Sequence, residues 1–248
     1  MGSEKNINNY IKIALYGDSL SMARENIIKN EERYFFMLLS EVKKRNPNAL
    51  IETIQRSKAS ISSSEMNYHS LHDSVYYNWQ GAIAIIHLGI VDCSPRPVNI
   101  ETREKISKLP GLIKKIAIKY LHRNRRKILL KGKASFVTSI SDFKQNYIEI
   151  LGNIEKLFDY IVIINIAPTN THTEHRSPGL SKSIQDYNNV IAECVADFQS
   201  SKIKFIDLHS YITTSNESRD NFIVKEDGHH ITPLTHKYIY QKIIEFVF

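Results

Sequence analysis

Residues 11–21 read Ile-Lys-Ile-Ala-Leu-Tyr-Gly-Asp-Ser-Leu-Ser, an apolar run that stops at a glycine followed by Asp18 and Ser19. A short run with little polar alternation suits a strand buried on both faces of a parallel sheet. Four more runs have the same character: Ala49–Ile54, Ala82–Leu88, Tyr160–Ile166 and Ile203–Leu208. Between them lie helix-like stretches at Glu31–Arg45, Asp142–Phe158 and Ser183–Gln199. A last one, Pro233–Val247, opens with proline near its first turn, where a missing N–H costs little. Strand alternating with helix predicts a doubly wound α/β/α sandwich whose site lies at the carboxyl ends of the strands. The opening run therefore marks both the first strand and the place to look for chemistry.

The 248 residues fit one α/β domain over 1–248, without internal repeat or low-complexity linker. With 42% hydrophobic and 24% charged residues, such a chain can bury a core without metals or disulfides. Cys93 and Cys194 form no metal-type cluster and read as free thiols. The stretch IKIALY is too short for a signal-peptide core, and no apolar run approaches the roughly 20 residues that span a bilayer. A cytoplasmic protein is expected.

The net charge of +7 is unevenly placed. From Arg103 to Lys133 there are twelve basic residues against Glu104 alone, a local charge of +11. Basic and apolar residues alternate at helical spacing here, and the segment interrupts the strand–helix rhythm. It reads as a helical insertion after strand three, at about 99–140, forming one or two helices beside the site. Its apolar side either packs on the core or lies with the charges against an anionic membrane surface. Aromatic interleaving beyond Tyr120 is lacking, so no nucleic-acid partner is expected.

Two local patterns carry chemistry. Gly17-Asp18-Ser19 at a strand end permits a tight turn into a helix, placing Ser19 where free backbone N–H groups favour negative charge. That suits a serine whose attack creates an oxyanion, although Asp18 or Ser19 as a plain helix cap explains the same residues. Near the other end, Asp227-Gly228-His229-His230 precedes the last helix. A serine hydroxyl needs a base, and a neutral imidazole must be held in one tautomer. An aspartate three residues before a histidine, across a glycine turn, can reach the second ring nitrogen; either His229 or His230 fits.

Gly17-Asp18-Ser19-Leu20 after the first strand and Asp227-Gly228-x-His230 before the last helix resemble the SGNH/GDSL hydrolase family over nearly the whole chain. The resemblance implies a flavodoxin-like three-layer sandwich with a five-stranded parallel sheet and ester hydrolysis without a cofactor or a metal. It assigns Ser19 as nucleophile, Asp227 as acid partner and His230 as base. His236 matches a non-catalytic histidine of the last helix. The family's second block supplies a glycine N–H to the oxyanion hole; Ser57 is the best match, beside the N–H of Ser19, and Ala59 the alternative. The third block normally reads Gly-x-Asn-Asp, but this chain has Gly89-Ile90-Val91-Asp92. Val91 cannot donate, and losing one such donor costs about 2.7–4 kcal/mol. Asp18, Val91, Asp92, Arg96 and His172 are the candidate substrate residues, with Arg96 first in line to replace the missing amide. His172, Glu174 and His175 lack a third firm ligand for a metal site. Arg176-Ser177-Pro178-Gly179 and Asp186-Tyr187-Asn188 resemble a subgroup linked to bacterial surface-polysaccharide biosynthesis.

The resulting expectation is a serine esterase acting on an acylated saccharide or another small ester, cytoplasmic and in peripheral contact with an anionic membrane. An O-acyltransferase using the same triad, and a degenerate glycan-binding domain, are the alternatives.

Overall fold

The computed structural model describes residues 10–24, 27–76 and 80–248. The strands β1 (Tyr10–Gly17), β2 (Leu50–Ser57), β3 (Gly81–His87), β4 (Phe158–Ile164) and β5 (Ile203–Ile206) form one parallel sheet in the order β2-β1-β3-β4-β5. All five expected runs are strands, with bounds moved by a few residues. β2 continues to Ser57, opposite Gly17, because it is an edge strand whose Thr53 and Gln55 face water.

The helices are α1 (Tyr34–Arg45), α2 (Ser63–Val75), α3 (Ile90–Cys93), α4 (Ile100–Ser107), α5 (Gly111–Leu130), α6 (Ile140–Glu155), α7 (Thr171–Arg176), α8 (Leu180–Phe198), α9 (Leu208–Thr213) and α10 (Pro233–Val247). Strand residues alternate between two buried layers, as a period of two requires. Ala14, Tyr16, Ala84, Ile86, Ile161 and Ile163 meet α2, α6 and α8 through Met66, Phe143, Tyr147 and Ile184. Ile13, Leu15, Ile83, Ile85, Val162 and Ile164 meet α1, α9 and α10 through Phe35, Leu38, Ile212 and Ile239. Cys93 and Cys194 are buried and unpaired.

The strand order reverses around β1 and β3, which makes their carboxyl ends a crevice. The segment after β3 does not pack its apolar side on the core. α5 buries Leu129 alone, while Leu112, Ile116 and Tyr120 are 73%, 62% and 63% exposed. It is tied down near its end, where Arg125 donates to the Pro95 carbonyl at 2.6 Å and to Ser177 Oγ at 2.7 Å. Among the described residues, no helix is long and apolar enough to cross a membrane.

Candidate active site

Asp18, directly after β1, is fully buried, and its carboxylate takes three backbone N–H groups: Leu20 at 2.9 Å, Gly89 at 3.0 Å and Ile90 at 3.3 Å. It thus caps the turn carrying Ser19 and clamps that turn to the end of β3. Burial pushes its carboxyl up to about 7 against the pull of those N–H groups. Fully buried and bonded to three N–H groups of the chain, Asp18 is a structural clamp, and its assignment as a substrate residue is corrected. Ser19 sits in one 3₁₀ turn, Ser19–Ser21, not at the start of a long helix; α1 begins only at Tyr34.

Asp92 is corrected in the same way. It is fully buried and accepts from Ser63 N and Oγ at 3.0 and 2.9 Å and from Thr138 Oγ1 at 2.5 Å, tying α2 and the start of α6 to α3. Gly89 before it has φ +130°, a conformation that side chains avoid, which turns the chain from β3 into α3. Val91 belongs to the apolar cluster around Phe143 and offers no polar contact. Ser57 ends β2 beside Gly17, and the next N–H, of Lys58, is taken by the Gly17 carbonyl. The left-handed backbone typical of a glycine falls at Ser60, φ +67°.

The turn 227–230 forms a second rigid unit. Asp227 Oδ1 accepts the backbone N–H of His229 at 3.1 Å and of His230 at 3.0 Å, while Oδ2 lies 3.1 Å from His230 Nδ1. Burial acts to raise the Asp227 carboxyl, but the His230 ring and these two N–H groups hold it well below the ordinary carboxylate range. Gly228 has φ +71°, and a Cβ there would fall 2.1 Å from Thr173 Oγ1 and 2.2 Å from Asn170 Oδ1. The loop leading into α7 thus grips the turn, with Thr173 Oγ1 donating to the Asp227 carbonyl at 3.0 Å. His229 directs Nδ1 to that same carbonyl and not chiefly to the carboxylate, so the carboxylate pair belongs to His230, which is 7% exposed.

Arg24, which the sequence patterns did not single out, reaches this second unit from the segment that follows Ser21. Its Nη1 lies 2.5 Å from Asp227 Oδ2 and contacts both ring nitrogens of His230. An arginine N–H donates to Nδ1 only if that nitrogen is unprotonated, which puts the proton on Nε2. The pairing of Nδ1–H with Asp227 requires the opposite tautomer, the one that leaves Nε2 free as an acceptor. The two contacts compete. Among the described residues, Ser19 Oγ has no hydrogen-bond partner in this arrangement.

A cavity of about 290 Å³ opens beside these groups, lined by Ile90, Ser94, Arg125, His172, Asp227 and His229 among others. His172 is where a substrate contact was expected; Ser19 and His230 are not on this wall. Arg96 is not there either, and its assignment as the oxyanion substitute is corrected: it faces a separate cavity between α4 and α5. Asp227, His229 and His230 bring ligand atoms within 4.8 Å of one another, compact enough for a metal. The guanidinium of Arg24 on two of the three opposes a cation at that spot. Glu174 is occupied as well, accepting from the N–H groups of Gly179 and Ser181 at 2.9 and 2.7 Å.

The chain has the fold of the GDSL/SGNH hydrolases. No family model matches it, and no curated protein is similar to it by sequence; the likeness is structural. A lipase/acylhydrolase from Enterococcus faecalis superposes with TM-score 0.60 at 15% identity, covering 95% of this chain and 94% of that one. A member of the lipolytic G-D-S-L family from Veillonella parvula gives 0.58 at 10% identity, covering 95% and 97%. An acetylxylan esterase from Geobacillus stearothermophilus gives 0.57 at 12% identity, covering 96% and 94%.

Proposed function

We propose that the protein is a serine-dependent carboxylic ester hydrolase that removes an acetyl or other acyl group from a saccharide. The observation that carries this reading is the pairing of His230 Nδ1 with the partly buried Asp227 carboxylate at 3.1 Å. In the reactive state Arg24 withdraws from the ring, Asp227 holds the Nδ1–H tautomer, and His230 Nε2 takes the Ser19 proton as Oγ attacks the acyl carbonyl. The N–H of Ser19, with that of Ser57, holds the oxyanion, and Val91 contributes nothing to it. His230 then returns the proton to the leaving alcohol and activates the water that releases the acid. An acyltransferase differs only in admitting an alcohol in place of that water, and a binding-only domain leaves the Asp227–His230 pair without a use.

Labelling with a fluorophosphonate probe tests the assignment. Wild type is expected to react, Ser19→Ala to be inert, and His230→Ala to react far more slowly. Equal labelling of wild type and Ser19→Ala would overturn it.

A peripheral, cytoplasmic attachment to an anionic membrane completes the reading. It is supported by α5, where exposed Leu112, Ile113, Ile116 and Tyr120 lie on one stretch beside Lys115, Lys119 and Arg123. Sedimentation with anionic vesicles should be strong at low salt and weak at high salt. Binding unchanged after Arg123→Glu with Arg126→Glu would exclude it.

A further inference from the structure

The cavity between α4 and α5 measures about 430 Å³ and gathers Arg96, Arg103, Lys114 and Arg125 on its wall, with no carboxylate among its lining residues. Three arginines elsewhere are paired with acids: Arg24 with Asp227, Arg45 with Glu41, and Arg56 with Asp73. Here the internal partners are neutral. Arg125 donates to Pro95 and Ser177, Lys114 to the Ser107 carbonyl at 3.3 Å, and the buried Nε of Arg96 has no partner. Burial, and then the charges of Arg103 and Arg125, pull the Arg96 guanidinium down to about 10, and the charge of Asp92 offsets this only in part. Convergent like charges raise the free energy of the fold unless an anion arrives to offset them.

We propose that this cavity binds a phosphate or diphosphate group of the ester substrate, so that the hydrolase acts on a phosphate-bearing acylated molecule. This inference rests on the proposed hydrolase function for its choice of substrate, not for the anion site itself. A carboxylate carries one negative charge, too few for four cations, whereas a phosphate monoester carries about 1.5–2 and offers three acceptor oxygens suited to guanidinium forks. Ile106, Ile118 and Leu121 line the same cavity, leaving an apolar wall for the portion next to the phosphate. Arg125 lines this cavity and the one holding Asp227 and His229, so the two adjoin.

The test uses the full chain and the double variant Arg103→Gln with Lys114→Gln, two side chains outside the catalytic groups. Inorganic pyrophosphate, followed by titration calorimetry, is expected to bind wild type and to bind the variant at least about tenfold more weakly per lost contact. Hydrolysis of p-nitrophenyl acetate should be the same in both. With an O-acetylated hexose phosphate the variant should lose its preference over the neutral O-acetylated hexose through KM, at little changed kcat. Vesicles of phosphatidylcholine containing phosphatidic acid separate the two sources of phosphate. Pyrophosphate-sensitive vesicle binding lost in the variant identifies a lipid-borne group; vesicle binding equal in both proteins, with the hexose phosphate preference intact in wild type, identifies a soluble ester. Absence of pyrophosphate binding at low salt, while p-nitrophenyl acetate is still cleaved, overturns the anion site. Pyrophosphate binding without cleavage of any ester supports the anion site and overturns the hydrolase reading instead.

Discussion

The carboxyl edge of the sheet and the α4–α5 cap share Arg125 and are built in opposite ways. At the edge, the acids, buried at Asp18 and Asp92 and partly buried at Asp227, are matched with donors: three N–H groups on Asp18, Ser63 and Thr138 on Asp92, and two N–H groups and a ring nitrogen on Asp227. In the cap, four cations face a cavity without an acid, and large apolar side chains face water. A buried polar group must find its partner inside the chain, because leaving it unmade costs about 1–3 kcal/mol. An exposed group is under no such obligation. The edge thus holds its acids in place with its own donors, while the cations of the cap are left without an acid of this chain.

The largest expected effect separates the two regions directly. His230→Ala should lower esterase activity by about 10⁴-fold and leave pyrophosphate affinity unchanged. If both fall together, the edge and the cap are one unit and the contrast is lost.

Next comes stability, read by urea unfolding. Phe143 of α6 is fully buried, so Phe143→Ala should cost about 3–5 kcal/mol. Leu112 of α5 is 73% exposed, so Leu112→Ala should stay within about 0.5 kcal/mol. A comparable loss from both would mean that the α5 face is covered in solution.

Arg24 provides a subtler probe, since its guanidinium favours the His230 tautomer that cannot serve as base and opposes the imidazolium that must form. Arg24→Ala is expected to raise kcat on p-nitrophenyl acetate by about tenfold, roughly the effect of one charge-assisted contact. A fall in kcat would make Arg24 a working part of the site, not a brake.

A last effect is on pH dependence. Burial holds His87 and His236 down at about 3, so both are neutral in the fold. As pH falls below about 6.5 the unfolded chain takes up protons that the folded chain refuses, and stability drops by about 1.4 kcal/mol per unit and group. Asp18, lifted to about 7, acts in the opposite sense over part of this range. The clean readout is therefore the difference between wild type and His236→Gln, which should narrow steadily from pH 6.5 to 4. A constant difference would show that His236 does not titrate as its burial requires.

The five strands and the main helices were legible in the residues because a sheet covered on both faces needs uninterrupted apolar runs, whichever partners cover it. α2 was not, since SSEMNYHSLHDSV carries no apolar stripe; its inner face includes Ser63, Ser70 and Asp73, buried by tertiary pairing such as Asp73 with Arg56. The turns that hold Ser19, Asp227 and His230 were legible because they are local, each needing its glycine within a few residues. Roles that depend on burial or on distant encounters were not. Asp18, Asp92 and Arg96 look alike as polar residues near a strand end, and only the tertiary structure turned two into internal clamps and the third toward another cavity. Arg24 meets His230 across 206 positions of sequence, a contact that no local pattern encodes. The +11 segment displayed its charge in the residues alone. That four cations turn inward on one cavity while the apolar side chains beside them turn outward is a matter of how α4 and α5 are hung on the end of β3.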